Sequence, residues 1–314
     1  MFIRNILATL AFLAATAAGA AAPLAKTPAP GYFRMMIGDI EVTAISDGTV
    51  DLPVNQLLTN TTPKHVDQVL AKNFLKSPVE TSVNAFLVNT GSKLVLVDAG
   101  AGSLFGPTLG KLAANIKGAG YQPEQVDEIY ITHMHPDHVG GLSANGAMLF
   151  PNAIVRADKH DADYWLAAET LEKATGDSKG FVQGAQTMFA PYVKAGKLST
   201  FEGNSDLVPG IKAVASHGHT AGHTTYVVES QGQKLVLWGD LMHVAAVQFP
   251  EPSVTIKFDS DSKAAAVQRK KAYADAAKGG YWIAAAHLPF PGIGHIVASG
   301  KGYTYIPVNY TAPR

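Results

Sequence analysis

Three histidines and an aspartate fall within six consecutive positions of the stretch Thr132-His133-Met134-His135-Pro136-Asp137-His138-Val139-Gly140-Gly141. The residues just before it, Glu128-Ile129-Tyr130-Ile131, read as a strand. Side chains leave a strand alternately, so His133 and His135 share one side. Pro136 starts a turn, which lets Asp137 and His138 face a second point in space. Neutral imidazole and carboxylate suit zinc and similar borderline divalent ions. Four such groups packed this tightly can serve two ions a few ångströms apart.

Two ions need more donors than this cluster supplies, and the chain offers them downstream. Ser216-His217-Gly218-His219-Thr220-Ala221-Gly222-His223 follows the apolar run Ile211–Ala215. Leu235-Val236-Leu237-Trp238-Gly239 leads to Asp240, and Tyr281-Trp282-Ile283-Ala284-Ala285-Ala286 leads to His287. Each candidate ligand stands at the C-terminal end of an apolar run, so all should meet at one sheet edge. His295 competes with His287 but lies in a turn-rich loop. His217, His223 and Asp98 read as supporting groups, since a ligating histidine usually gives its other N–H to a neighbour.

These residues resemble the metallo-β-lactamase superfamily. Its HxHxDH signature is matched by His133, His135, Asp137 and His138, and its GHTxGH pattern by the segment around His219. Val97-Asp98-Ala99-Gly100 is similar to its early strand turn. Within the superfamily, Glu80–Val83, Leu104–Gly110, Asp206–Gly210 and Phe290–His295 resemble methyl parathion hydrolase and its lactone- and aryl-ester-cleaving relatives. The resemblance implies a four-layer αβ/βα sandwich and a centre of two divalent ions, with zinc the default and Mn, Co or Fe acceptable. His133, His135 and His219 would hold the first ion, and Asp137, His138 and His287 the second. Asp240 would bridge them together with a water or hydroxide, the nucleophile. Asp137 and Asp240 are thus the carboxylates of the implied catalytic centre.

The same resemblance implies a substrate pocket formed by Phe105, Trp165, Phe181, His243, Phe258, Leu57 and Leu58. Where the organophosphate-cleaving branch has an arginine, this chain has Leu57-Leu58. It has His243 and Phe258 in place of aliphatic leucines, and Ile256 in place of a threonine. The Thr175–Lys179 loop is one residue shorter. The implied activity is hydrolysis of aryl esters and lactones of the dihydrocoumarin type, with phosphotriester cleavage as the alternative. Asp240 argues against a β-lactamase, because lactamases of this fold generally lack a bridging aspartate there. The implied partners are a small ester or lactone and a second copy of the chain.

Composition narrows the classes further. Lys plus Arg (25) equals Asp plus Glu (25), which disfavours a nucleic-acid partner. There is no cysteine, so neither disulfides nor thiolate ligands enter. Arg4, the apolar stretch Ile6–Ala15 and Ala18-Gly19-Ala20 have the form of a cleavable export signal, residues 1–20. A periplasmic or secreted protein with no membrane anchor after cleavage is expected. Residues 21–36 read as a tether and 37–314 as one hydrolase domain. Val42–Ser46, Val83–Val88 and Ala153–Val155 read as strands. Helices are expected over Leu109–Ile116, His160–Glu172, Gln183–Ala195 and Asp261–Ala277, with Asp259–Asp261 and Lys270-Lys271 solvated.

Overall fold

A computed structural model describes residues 22–312, so the expected export signal lies outside the described residues. Two seven-stranded sheets face each other, and each keeps its strands in chain order. The first contains β1 (Tyr32–Ile37), β2 (Ile40–Leu52), β3 (Val79–Asn89), β4 (Leu94–Val97), β5 (Glu128–Tyr130), β6 (Ile154–Asp158) and β7 (Leu198–Phe201). The second contains β8 (Ser205–Val208), β9 (Ile211–Ala215), β10 (Thr224–Ser230), β11 (Gln233–Leu237), β12 (Trp282–Ala284), β13 (Ile293–Ser299) and β14 (Gly302–Pro307). Both begin with antiparallel pairs and turn parallel at the centre, at β4–β5 and at β11–β12. β1 belongs to the sheet, so the first strand begins at Tyr32, inside the stretch read as a tether.

Alternation along the central strands separates the layers. Val95 and Val97 of β4 point between the sheets, where they meet Leu235 and Leu237 of β11 and Tyr226 of β10. Leu94 and Leu96 point outward to a core shared with Ile116, Phe189 and Tyr192. On the far side, Val236 and Ile283 face Tyr273 and Ala276. The outer residues belong to helices α1 (Leu112–Gly118), α4 (Asp177–Lys194) and α5 (Ser262–Gly279). A strand buried on both faces must be apolar throughout, as the Leu-Val-Leu-Val of β4 is. The architecture is therefore the αβ/βα sandwich.

Local chemistry moves some helix limits. Asp47 accepts the Leu112 backbone N–H, which sets the start of α1 three residues later than the apolar pattern suggests. The expected helix over His160–Glu172 is two helices, α2 (Lys159–Trp165) and α3 (Ala168–Lys173). The Gln186 side chain donates to the Trp165 and Ala167 carbonyls and stabilises the break. Asp261 caps α5 by accepting from the Lys263 and Ala264 N–H groups. Among the described residues, no helix is long and apolar enough to cross a membrane.

Candidate metal centre

The ligand-bearing segments leave the C-terminal ends of β5, β9, β11 and β12 and meet at one edge of the sandwich. After His138 the chain must pass very close to the loop that follows β4. A Cβ on Gly140 would lie 1.9 Å from the Ala101 carbonyl oxygen, and one on Gly141 2.0 Å from that of Ala99. Only glycines allow this approach, which explains the Gly-Gly directly after the histidine cluster.

Two groups of donor atoms converge here. His133 Nε2, His135 Nδ1 and His219 Nε2 lie 3.0–3.2 Å from one another. Asp240 Oδ2 is 3.5 Å from His133 Nε2 and 3.4 Å from His219 Nε2. On the other side, His138 Nε2 and His287 Nε2 lie 3.3 Å and 3.2 Å from Asp240 Oδ1. They lie 3.6 Å and 3.3 Å from Asp137 Oδ2. Ligands about 2.0–2.1 Å from a tetrahedral ion stand about 3.3 Å apart, so both groups are spaced as coordination shells. Asp240 offers one oxygen to each. His138 Nε2 and Asp240 Oδ1 are buried without a hydrogen-bond partner. A cation between the donors would satisfy both, so the residues present fit two divalent ions.

The outer nitrogens of these imidazoles are anchored, so the inner ones face the site. His138 Nδ1 donates to Asp98 Oδ2 (2.8 Å), His219 Nδ1 to Asp259 Oδ1 (2.8 Å) and His287 Nδ1 to the Ser82 carbonyl (3.0 Å). The Thr132 hydroxyl gives its proton to Asp98, leaving its oxygen to accept from His133 Nδ1. Asp240 is held through its backbone N–H, which donates to His223 Nε2. His135 stands edge-on to Trp165, ring centroids 5.3 Å apart. Such outer partners fix tautomer and orientation.

The electrostatics suit a cation site. Burial holds the His133 and His135 imidazoles well below their usual range, hence neutral and able to ligate. Burial also pulls His287 down, but Asp240 and Asp137 outweigh it and raise it to about 10. Burial pushes Asp240 up, yet His138, His287 and His243 outweigh it, and the carboxyl sits well below its ordinary value. The carboxylates are ionised, and protons occupy sites that metal binding would clear.

At the mouth lies a narrow cleft lined by Val50, Leu52, Phe105, Phe181, His243 and Phe258, with His135, Asp137, Asp240 and His287 at its floor. Four of the seven expected pocket residues line it: Phe105, Phe181, His243 and Phe258. Trp165 lies behind His135. Leu57 and Leu58 are not among the lining residues; they stand in the apolar cluster of Val54, Val66 and Leu70 that also packs against the cleft residues Val50, Leu52, Phe105 and Phe258. His243 does more than line a wall. Its Nε2 is 3.1 Å from Asp240 Oδ2 and its ring stacks on His287 at 5.2 Å. His295 stays outside the centre, bonded to the Tyr281 carbonyl and stacked on Trp282.

Sequence reasoning missed Val50 and Leu52, which the long β2 carries to the cleft. It also read Asp259 as solvated. The Asp259 side chain is buried, bound to His219 and 4.0 Å from the Arg269 guanidinium.

Fold and site together define a metal-dependent hydrolase. The family signature described as "Metallo-beta-lactamase superfamily" matches residues 78–276, and the chain belongs to that superfamily. It is similar to the crystal structure of hydrolase AbOPH, with 38% identity, TM-score 0.86, and 91% of this chain and 100% of that one covered. It is also similar to AidC, a dizinc quorum-quenching lactonase: 25% identity, TM-score 0.83, and 90% and 99% covered. An N-acyl homoserine lactonase of Bacillus cereus is 26% identical over 162 residues, 51% of this chain and 56% of that protein. The chain thus spans about half the length of that curated relative.

Proposed function

We propose that this protein hydrolyses lactones and aryl esters of the dihydrocoumarin type at a centre of two divalent ions, with zinc the default metal. One observation carries this reading: a complete seven-ligand cluster opens directly into an apolar, aromatic cleft. The lactonase names of several relatives support the lactone assignment. When bound, two such ions supply a water activated at neutral pH and a Lewis acid for the substrate carbonyl.

The chain's own residues do the rest. His133, His135 and His219 would hold one ion, Asp137, His138 and His287 the other, and Asp240 both. Phe105, Phe181 and Phe258 stack the aryl or ring portion and exclude water, so their contribution is orientation. His243 can place its imidazole beside the reacting carbonyl or leaving oxygen, because it lies at the floor and the wall together.

The free space in the cleft is about 20 Å³, room for a water-sized species and little more. A bulky tetrahedral phosphotriester demands more displacement of Phe258 and His243 than a flat aryl lactone does. The test is kcat/KM for dihydrocoumarin, an N-acyl homoserine lactone and methyl parathion on protein carrying two zinc ions. The lactones should lead; a lead for the phosphotriester would replace this reading with a triesterase. The proposal includes a homodimer, for which the fully exposed Phe74 beside half-exposed Leu75 offers apolar surface. Light scattering at micromolar concentration checks the molar mass.

A further inference from the structure

A second histidine–aspartate constellation lies outside the centre. Asp158 ends β6, His160 sits in the first turn of α2, and His217 is in the loop leading to His219. One donor atom from each lies within 4.8 Å of the others. His160 Nδ1 is 2.8 Å from Asp158 Oδ1, His217 Nε2 is 3.6 Å from Asp158 Oδ2, and the two rings are 5.1 Å apart. The Asp158 side chain is fully buried, while those of His160 and His217 are 48% and 36% exposed. The cluster is thus rooted in the fold and open on one side.

Helix capping accounts for part of this arrangement. Asp158 Oδ1 accepts the His160 N–H, and Oδ2 accepts that of Gly203. It does not account for His217, whose Nε2 is buried without a hydrogen-bond partner and is turned toward the carboxylate. The surroundings also attract positive charge. The hydrogen bond to Asp158 holds the His160 imidazole above its usual value, with Glu202 and Asp163 adding to the effect.

We propose that Asp158, His160 and His217 form a third divalent-metal site, separate from the hydrolytic pair, that takes a zinc-class ion with solvent completing its shell. Two imidazoles and a carboxylate are the right donors for such an ion. Its role is bracing. The ion would tie the start of α2 to the loop that carries His219. Asp161, on the same helix, already grips two of the four ligand-bearing segments. It accepts from the Met134 N–H (3.1 Å), the Thr220 hydroxyl (2.9 Å) and the Gly222 N–H (2.6 Å).

The experiment loads the full chain with Zn²⁺, removes free metal by gel filtration and counts zinc by mass spectrometry. The comparison is a His160→Gln, His217→Gln double variant, which keeps the Asp158 cap. Wild type should retain one zinc per chain more than the variant. Equal zinc content overturns the proposal. Should the variant not fold, the wild type still decides. Zn²⁺ added after the hydrolytic pair is filled should protect His160 and His217 from diethyl pyrocarbonate, and undiminished modification overturns the site. Absent hydrolysis would count against the proposed function alone and leave the zinc count readable.

Discussion

The floor and the wall of the cleft are built on opposite principles. On the floor, His133, His138, His219 and His287 each have a second nitrogen tied to a named acceptor, and Asp240 is held by His223. On the wall, Phe105, Phe181 and Phe258 are half-buried rings held by packing without directional bonds, with Phe105 and Phe181 tilted against each other at 6.4 Å. Directional bonds fix atoms where chemistry needs them, whereas apolar contacts leave rotamers free to change. Under the proposed function, the floor sets the reaction and the wall sets which substrate enters.

Breaking the floor should give the largest effect. Asp240→Ala removes the carboxylate that offers one oxygen to each donor group and leaves the Nε2 atoms of His138 and His287 with Asp137 as their only carboxylate. Metal centres contribute several kcal/mol to the barrier, so kcat should fall about a thousandfold or more. Metal counting and circular dichroism check that a folded chain has lost an ion. Near-normal turnover with two ions bound would show that Asp240 does not bridge.

Asp161 tests the scaffold beneath the floor. Burial pushes its carboxyl up to about 6, against 3.8 for an ordinary aspartate. The folded state thus binds this proton more tightly than the unfolded one. The resulting stability is fully present below pH 3.8 and is lost as pH rises through 6. The difference amounts to about 3 kcal/mol. In Asp161→Asn this dependence disappears. Denaturant melts of both proteins from pH 4 to 7.5 should give a wild-type-minus-variant stability that falls with pH, and a flat difference contradicts the assignment.

A weaker break is at one remove from the ions. Asp259→Ala frees the outer nitrogen of His219, and loss of such a partner costs about 10–100-fold in metal affinity. Competition against a zinc chelator would read the change, with one of the two ions affected. Equal loss at both sites would mean that Asp259 acts through the α5 packing around Arg269 and not through His219.

What was legible in the sequence follows the same division. The ligands sit at the ends of short apolar strands, so strand periodicity alone brings His133, His135, Asp240 and His287 to one edge. Position along a strand is local information. Asp259 was not legible, because it precedes a helix start and its contact with His219 spans 40 residues. Val50 and Leu52 were missed for a related reason: β2 is long enough to run beyond the sheet core to the cleft, and its length depends on pairing with β3. The break between α2 and α3 depends on a side chain from α4. The Leu57-Leu58 expectation put into the lining two residues that stand in the apolar cluster behind it. Where a contact is made by tertiary packing, the local pattern carries no trace of it.

The smallest expected effect is also the sharpest test of the contrast. Phe258 and His243 stand 6.0 Å apart at the mouth. Phe258→Leu with His243→Leu widens the wall and leaves all seven ligands unsubstituted. One pocket contact discriminates substrates by about tenfold, so the ratio of phosphotriester to lactone kcat/KM should rise by about that factor. An arginine belongs in this variant only at Leu57, which is half-buried, because Leu58 is buried and a charge there would be left unpaired. His243 touches Asp240 as well as the cleft, so the two single variants divide the effect. Phe258→Leu should change KM and leave the kcat pH profile intact. His243→Leu should also shift that profile, because it removes an imidazole 3.1 Å from Asp240. If both singles change KM alone, His243 belongs to the wall; if His243→Leu alters metal content, it belongs to the floor.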